Sequence, residues 1–350
     1  MKVTLSIILG VLALLILTVA WFSYPWSLHE FRSVKEVTHV ETEEMVETEE
    51  KPAVIKILTW NLGFLYGEGS EGPGYELKPK KYFDERLDSL VKTIQEAAVD
   101  VVFLQEIDFE SDRSHGVDQA KYLAMKGGYP FVAEAVSWEA NYIPFPYWPF
   151  SRHFGRMKSG GAVLSKYPIV KNDVILLEKP LSQPWWYNLF YLHRYFQKVT
   201  ISINGRDFQV INLHLEAFDK KDRLKQIQKL VEIEAAEKID FIAGDFNMVP
   251  TEATKKSKFY NDDDYENDPS FSEMGKSGMK EVIPEDIYMK EENLYFTFPS
   301  WKPDRRLDYI FYQQDLKMMR AEVLPSALSD HLPIKASFQI NSPQINPYSL

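Results

Sequence analysis

Polar residues that could hold a metal ion or move protons stand where apolar segments of the chain end. The set consists of amides, carboxylates and histidines: Asn61, Glu106, His214, Asp245, Asn247, Asp308, Asp330 and His331. Taken singly, a terminal Asp or Asn is typical of a turn, and a lone His is usually packed or exposed rather than catalytic. Their recurrence at segment ends favours a functional site, because α/β sheets gather their chemistry at strand ends.

These residue types suit the hydrolysis of a phosphoester. That reaction needs neutralised charge, an activated water and a stabilised leaving group. Glu106 is a natural oxygen ligand for a hard cation, and the Asn61 amide can stand beside it. Mg²⁺ takes one or two carboxylates and keeps several waters, so a sparse site is sufficient. Asp245 and Asn247 are two positions apart, so both can reach one small volume.

Six apolar segments, most of them adjoining one of these residues, are typical of buried strands. They are residues 54–60, 101–104, 161–164, 208–213, 241–243 and 307–312. Apolar residues recur at helical spacing over residues 83–94 and 224–231. Strands that alternate with helices in this way predict α/β layers, with no second domain required.

The composition excludes several classes of protein. The chain has 350 residues, of which 45% are hydrophobic, and this excludes a disordered or collagen-like chain. It contains no cysteine, which excludes disulfides, zinc–thiolate sites, iron–sulfur clusters and cysteine nucleophiles. The net charge is −11, so the chain lacks the basic footprint that is typical of nucleic-acid-binding proteins.

The N-terminus carries a segment that is long enough to cross a membrane. Residues 3–22 contain no charged side chain, and these 20 residues would span about 30 Å as a helix, the thickness of a bilayer's hydrocarbon core. The aromatic cluster that begins at Trp21 is typical of a membrane interface. We predict an uncleaved single-pass anchor with the body outside the cytoplasm. A cleaved signal peptide and a buried helix are the alternatives.

The sequence predicts four parts along the chain. Residues 1–24 are the transmembrane anchor, and residues 25–53 are an acidic tether, for which an exposed acidic helix is the alternative. Residues 54–340 form one α/β catalytic domain, and residues 341–350 are a C-terminal tail.

Six short segments resemble, in order, the motifs of one known family. They are Thr59-Trp60-Asn61, Leu104-Gln105-Glu106, Asn212-Leu213-His214-Leu215-Glu216, Gly244-Asp245-Phe246-Asn247, Arg306-Leu307-Asp308-Tyr309-Ile310 and Ser329-Asp330-His331-Leu332-Pro333. Over residues 54–340 the chain resembles the endonuclease/exonuclease/phosphatase superfamily, which includes deoxyribonucleases, apurinic-site endonucleases, neutral sphingomyelinases and inositol polyphosphate 5-phosphatases. The resemblance implies a four-layered α/β sandwich, with two packed mixed β-sheets flanked by helices. It also implies cleavage of phosphoester bonds with a divalent metal, usually Mg²⁺, with Mn²⁺ as the alternative.

The resemblance also implies roles for the polar residues. Asn61 and Glu106 would bind the metal, with Asp330 close to it. Asp245 and Asn247 would orient the attacking water and the phosphate. These five residues are therefore expected to surround the scissile bond.

The two histidines are expected to act on the phosphate. His331 would be the base or a phosphate contact, with Asp308 holding its tautomer, while His214 would contact the phosphoryl oxygens. Which histidine is the base stays open. A histidine at position 214 resembles the deoxyribonuclease and sphingomyelinase branches, whereas the apurinic-site endonucleases have a tyrosine there. This difference argues against a role in DNA repair.

Several segments bear on the substrate. Arg156 and Lys158, next to a glycine-rich turn, could reach a phosphate, although ordinary surface charge is the alternative. Residues 142–150 and 185–196 are rich in aromatic side chains and have neither strand nor helix periodicity. They could form a rim that touches a bilayer or an acyl chain, with Trp185 and Trp186 as contacts, or they could pack on each other as a lid.

Three functions follow from these observations. The first is a membrane-anchored phosphoesterase that acts on a phospholipid or a similar amphiphile, as sphingomyelinases do. The second is a membrane-tethered or secreted nuclease, which the lack of a basic groove disfavours. The third is a catalytically inactive, membrane-tethered binding module, which the complete set of polar residues disfavours. The sequence identifies no protein partner.

Overall fold

The computed structural model describes residues 2–23, 37–42, 52–67, 76–261 and 263–340. Within these ranges, thirteen strands form two sheets. The strands are β1 Val37–His39, β2 Val54–Asn61, β3 Val101–Asp108, β4 Phe131–Ile143, β5 Gly155–Ser165, β6 Ile169–Leu176, β7 Tyr195–Ile203, β8 Arg206–His214, β9 Phe241–Asp245, β10 Lys280–Glu281, β11 Asp308–Tyr312, β12 Lys317–Val323 and β13 Ile334–Gln339. The first sheet has the order β1-β4-β5-β3-β2-β13-β12, and the second has the order β10-β11-β9-β8-β7-β6.

The described residues also form seven α-helices, some of which cover the outer faces of the two sheets. They are α1 Lys2–Ser23, α2 Lys80–Ala97, α3 Gln119–Gly127, α4 Trp185–Asn188, α5 Lys220–Glu237, α6 Ser270–Met274 and α7 Glu285–Tyr288. Phe83 and Leu87 of α2 pack on the first sheet, and Ile227 and Leu230 of α5 pack on the second. A separate apolar cluster fills the space between the two sheets. The fold is therefore α/β, with two packed mixed sheets flanked by helices, as the sequence predicted.

The strand directions bring six strand ends to one edge of the sandwich. β2 and β3 are parallel neighbours in the first sheet, and β8 and β9 are parallel neighbours in the second. The carboxyl ends of these two pairs meet, since Asn61, at the end of β2, is close enough to donate a hydrogen bond to Asp245, at the end of β9. β11 is antiparallel to β9, and β13 is antiparallel to β2, so the first residues of both lie at this same edge.

The N-terminal helix α1 is long and apolar enough to cross a membrane. Its segment Thr4–Ser23 has a mean hydropathy of 2.7 and none of it is buried. A signal sequence or the core helix of a soluble protein would meet the same criteria of length and composition. The helix ends against β4, where the Asn141 side chain donates a hydrogen bond of 2.6 Å to the Trp21 carbonyl. The rings of Phe22 and Tyr142 lie 5.2 Å apart at the same contact.

Part of the acidic segment that follows α1 belongs to the first sheet. Val37–His39 forms β1 and pairs antiparallel with residues 131–133 of β4. Residues 24–36 and 43–51, which make up most of the predicted tether, lie outside the described residues, as does the predicted tail 341–350.

The glycine-rich turn expected near Lys158 is instead part of a strand. β5 runs without interruption through Gly160 and Gly161. A β-carbon on Gly161 would overlap the hydroxyl of Tyr195 on the second sheet, so glycine is required for the close approach of the two sheets. Gly161 therefore serves packing between the sheets, Gly160 serves the close approach of the β4 backbone at Ala135, and no turn interrupts β5.

Candidate active site

The converging strand ends bring the predicted polar residues together. Their positions are Asn61 at the end of β2, Glu106 in β3, His214 at the end of β8, Asp245 at the end of β9, Asn247 two residues later, Asp308 at the start of β11, and Asp330 and His331 just before β13. All are buried except Glu106, whose side chain is 24% exposed. The cluster therefore faces solvent mainly through Glu106.

The loop that carries Asp330 and His331 is tied to the end of β2. The Ser329 hydroxyl donates a hydrogen bond of 2.6 Å to the Asn61 carbonyl and accepts one from the His331 amide. Gly63 allows Asp330 to come close, since a β-carbon there would overlap the Asp330 carboxylate, and its φ of +48° also favours glycine. These contacts fix Asp330 and His331 relative to the first sheet.

Asp245 lies at the centre of the cluster. Its carboxylate accepts hydrogen bonds of 2.9 Å from the Asn61 side chain and from the Asn247 backbone amide. The Nε2 atoms of His214 and His331 lie 3.4 and 3.9 Å from its Oδ2. Burial raises the pKa of Asp245 to about 6, although the charge of His331 opposes this shift. Asp245 can therefore exchange a proton near neutral pH.

Asp308 and His331 form a hydrogen-bonded pair. Asp308 Oδ2 lies 2.8 Å from His331 Nδ1, and Asp308 is fully buried. Burial by itself lowers the pKa of His331, but the carboxylates of Asp308 and Asp245 outweigh burial and raise it well above the ordinary value. The protonated imidazole is thus favoured, with Nδ1 donating to Asp308 and Nε2 directed towards Asp245.

His214 has the opposite electrostatic environment. Burial, together with the positive charges of Arg194 and His331, lowers its pKa well below the ordinary value. The Arg194 guanidinium donates to His214 Nε2, which requires that nitrogen to be unprotonated. His214 is therefore neutral where His331 is charged.

Arg194 is a buried cation of the site that the sequence reasoning missed. It directly precedes β7, and the register of β7 against β8 sets the neighbouring Tyr195 opposite His214. Its Nε lies 3.7 Å from Glu216 Oε2 and has no hydrogen-bond partner among the described residues. Burial lowers its pKa, but Tyr191, Glu216 and Glu106 more than offset that effect.

The environment of Glu106 fits a cation ligand. Burial, followed by the negative charge of Asp330, raises the pKa of Glu106 to about 7. A site that collects carboxylates without enough compensating positive charge is the arrangement that a divalent cation relieves. Glu106, Asp330 and the Asn61 amide also offer the hard oxygen donors that Mg²⁺ prefers.

A second group of side chains is also close enough to hold a metal ion. Among the described residues, Asp245, Asp308 and His331 each bring one potential ligand atom within 4.8 Å of the other two. The Nδ1 of His331 is already hydrogen-bonded to Asp308, however, so this ring nitrogen is not available to a cation. Glu106 and Asp330 are therefore the better candidates.

The cluster lies in a cleft of about 590 Å³. Its lining includes Glu106, Arg194, His214, Asp245, Asn247, Asp330 and His331, together with the aromatic residues Phe64, Trp138, Phe154 and Phe298. Arg156 and Lys158 are not among the lining residues, and the Arg156 guanidinium donates to the Glu110 carbonyl. Trp185 and Trp186 also lie outside this cleft, but Trp186 lines an apolar pocket that adjoins it.

Comparisons with known proteins agree with this geometry. The model of the endonuclease/exonuclease/phosphatase family matches residues 58–331. No match was found among curated proteins.

Several solved structures share the fold. An endonuclease/exonuclease/phosphatase from Beutenbergia cavernae is 19% identical, with a TM-score of 0.58 over 83% of this chain and 72% of that chain. A mannosyl-6-phosphatase from Bacteroides thetaiotaomicron is 15% identical, with a TM-score of 0.53 over 82% and 100%. TDP2 from D. rerio, complexed with a single-strand DNA product, is 15% identical, with a TM-score of 0.53 over 83% and 100%.

At these identities the solved structures establish the likeness of fold, and the family model extends that likeness to the sequence. The matched residues 58–331 contain the whole cluster from Asn61 to His331. The chain belongs to the endonuclease/exonuclease/phosphatase family, whose members hydrolyse phosphoester bonds.

Proposed function

We propose that the chain is a divalent-metal-dependent phosphoesterase, tethered to a membrane, whose substrate is a phospholipid or a similar amphiphile. The observation that carries the hydrolytic part is the buried Asp245, which two amide groups hold in place between two histidines. Such a group, with a pKa of about 6, suits a general base at neutral pH.

In this proposal Asp245 takes the proton from the attacking water, and Asn247 helps to orient that water. His331, held charged by Asp308, donates from Nε2 to a phosphoryl oxygen. Arg194 supplies a second buried positive charge, and the neutral His214 lies between that charge and Asp245. Donors and charges fixed before the reaction stabilise the negative charge that develops on the phosphoryl oxygens.

Glu106 and Asp330, with the Asn61 amide, would hold the metal, for which Mg²⁺ is the first candidate and Mn²⁺ the second. A bound divalent cation would neutralise charge on the phosphate and lower the pKa of a coordinated water. The raised pKa of Glu106 supports this assignment, because burial and the negative charge of Asp330 raise it and a bound cation would oppose both effects.

The membrane part of the proposal is supported by α1 and by exposed aromatic residues. The segment Thr4–Ser23 is apolar throughout and unburied. Trp148, Trp185 and Trp186 are 74%, 76% and 51% exposed, although exposure of a tryptophan side chain to water is energetically unfavourable. We propose that α1 anchors the catalytic domain on the extracytoplasmic face. Cleavage of the domain by a protease added to intact cells would test that orientation.

Hydrolysis can be measured with the purified full chain in lipid nanodiscs. After treatment with a chelator it should be inactive on a small soluble phosphodiester, and Mg²⁺ or Mn²⁺ should restore turnover. Asp245→Asn should remove most of the restored activity. Asp207→Asn, an exposed carboxylate at the other end of β8 from His214, is the matched control and should retain it. Full activity in excess chelator would contradict the metal requirement.

The substrate class is tested in parallel with phospholipid vesicles and single-stranded DNA. Hydrolysis of the lipid in preference to DNA is the expected result. Hydrolysis of DNA alone would make the chain a membrane-tethered nuclease. Binding of lipid without turnover of any substrate would make it a binding module.

A further inference from the structure

An apolar pocket of about 240 Å³ adjoins the catalytic cleft. The two share Trp138, Phe154, Tyr191 and Leu192 as lining residues, so they lie directly side by side. The rest of the pocket is lined by Ile143, Pro144, Phe145, Tyr147, Trp186, Tyr187 and Phe190. Among the described residues, no charged side chain lines the pocket, whereas Arg194 and four carboxylates line the cleft next to it. The lining therefore changes from charged in the cleft to apolar in the neighbouring pocket.

The pocket is formed by two loops, residues 144–154 and 177–194, that pack on β4. Trp138 of β4 donates from its indole to the Phe190 carbonyl at 2.8 Å. The rings of Phe145 and Phe154 lie 5.3 Å apart, and those of Tyr187 and Tyr191 lie 5.3 Å apart. The pocket is thus built from ordered ring contacts, and its walls exist before any ligand arrives.

The pocket and the end of α1 both contact β4. Tyr147 and Trp186, which line the pocket, are 61% and 51% exposed. Asn141 and Tyr142, which contact α1, lie on β4, as does Trp138, which lines both the pocket and the cleft. A lipid surface around α1 would therefore be close to the exposed aromatic residues.

We infer that this pocket binds one hydrocarbon chain of the substrate, while the phosphoester lies in the adjoining cleft. The inference rests on the proposed function and adds the place of the apolar part. The four lining residues that the two cavities share support it, because a molecule with a phosphate at one end and an alkyl chain at the other matches the change in lining. A pocket without charges favours an alkyl chain over a sugar or a base, whose polar groups would lose hydrogen bonds to water.

The chain length of a ligand should control its affinity. Burial of each methylene should tighten binding by about fourfold, until the pocket is full. The probes are straight-chain alkyl phosphonates with two to ten carbons, which keep the phosphate-like group and resist hydrolysis at their carbon–phosphorus bond. Calorimetry on the full chain in nanodiscs with Mg²⁺, corrected with empty nanodiscs, gives the dissociation constant for each length.

Two neighbouring tryptophans provide matched variants. Trp186→Asp places a charge at the pocket lining and should flatten the dependence of affinity on chain length. Trp185→Asp places the same charge one residue away, on a side chain that does not line the pocket, and should keep the dependence. Trp186→Leu keeps an apolar lining and should therefore keep most of the dependence of affinity on chain length. Circular dichroism shows whether each variant is folded.

The outcomes separate this inference from the proposed function. A dissociation constant that does not change with chain length in the unaltered chain would overturn the pocket assignment, even if the soluble phosphodiester is hydrolysed. An equal loss of chain-length dependence in Trp185→Asp and Trp186→Asp would also overturn it, because a general membrane contact would explain both. If tighter binding of longer chains is found in a chain that hydrolyses nothing, the pocket stands and the proposed catalysis fails.

Discussion

The pair formed by Asp308 and His331 allows a sharp test of how the site works. Replacing Asp308 by Asn keeps the size of a fully buried side chain and removes its charge. A hydrogen bond to a charged group contributes about 1.5–3 kcal/mol, and the 2.8 Å contact has the geometry of such a bond. If this energy is expressed in the transition state, kcat/KM should fall by roughly 10-fold to 150-fold.

The pH dependence should change as well. Activity that requires charged His331 is lost as the pH rises through its pKa, which Asp308 helps to hold well above the ordinary value. In Asp308→Asn, burial still lowers that pKa while the main opposing charge is gone, so the alkaline limb should move to lower pH. The acid limb reflects Asp245, whose pKa of about 6 is itself raised in part by Asp308, so it should move the same way.

The assay is the steady-state pH profile of kcat/KM on a small soluble phosphodiester, for the unaltered chain, Asp308→Asn, His331→Ala and the double variant. If Asp308 acts through His331, the double variant should be little worse than His331→Ala alone. Strictly additive losses, or an alkaline limb that stays in place in Asp308→Asn, would refute the reasoning. Thermal denaturation of each variant separates loss of catalysis from loss of fold.

Three further predictions concern the metal, the buried cation and the membrane. Glu106→Gln should remove most activity. Because the Glu106 pKa of about 7 makes ionisation of this side chain unfavourable in the fold, the substitution should also stabilise the metal-free protein at pH 8, by up to about 3 kcal/mol more than at pH 4. Denaturation of both forms at the two pH values measures this difference. Arg194→Met should raise the pKa of His214 in an NMR titration and weaken inhibition by inorganic phosphate, whereas Arg156→Met, outside the cleft, should change neither. The full chain should stay in the membrane fraction through carbonate washing, whereas a truncated form that begins at Arg32, ahead of β1, should be soluble and hydrolyse the soluble phosphodiester.

The sequence predicted the layers of the fold because its apolar segments are long and end in polar residues. Each predicted strand lies within a strand of the structure, apart from Leu307, which directly precedes β11. The sequence reasoning missed seven strands, which are β1, β4, β6, β7, β10, β12 and β13. β1 was missed because three residues within an acidic segment carry no periodicity, and its pairing with β4 is a long-range contact. Gly160 and Gly161 suggested a turn because the contacts that require glycine are also long-range. Only the approach of Ala135 on β4 and of Tyr195 on the other sheet reveals why glycine is needed.

Dependence on long-range contacts also explains why Arg194 was missed, although one local signal could have identified it. The turn Asn204-Gly205 joins β7 to β8, and both residues have positive φ, as a two-residue hairpin turn requires. Such a turn fixes the register, and counting back from it sets Tyr195 opposite His214. Arg194 is then the next residue along the hairpin. Its burial beside Glu216 and Glu106, in contrast, depends on the packing of both sheets.

The backbone around Glu106 shows how the fold exposes this proposed metal ligand at the end of a buried strand. Leu104 and Ile107 both pack in the apolar cluster beneath α2, although residues three apart in a regular strand face opposite sides. The register of β3 against β5 shifts between them, and Glu106 has a φ of +51°. This bulge restores Ile107 to the helix side and leaves Glu106 at the cleft. The left-handed backbone and the crowded carboxylate both cost stability, so function rather than folding accounts for a glutamate at this position.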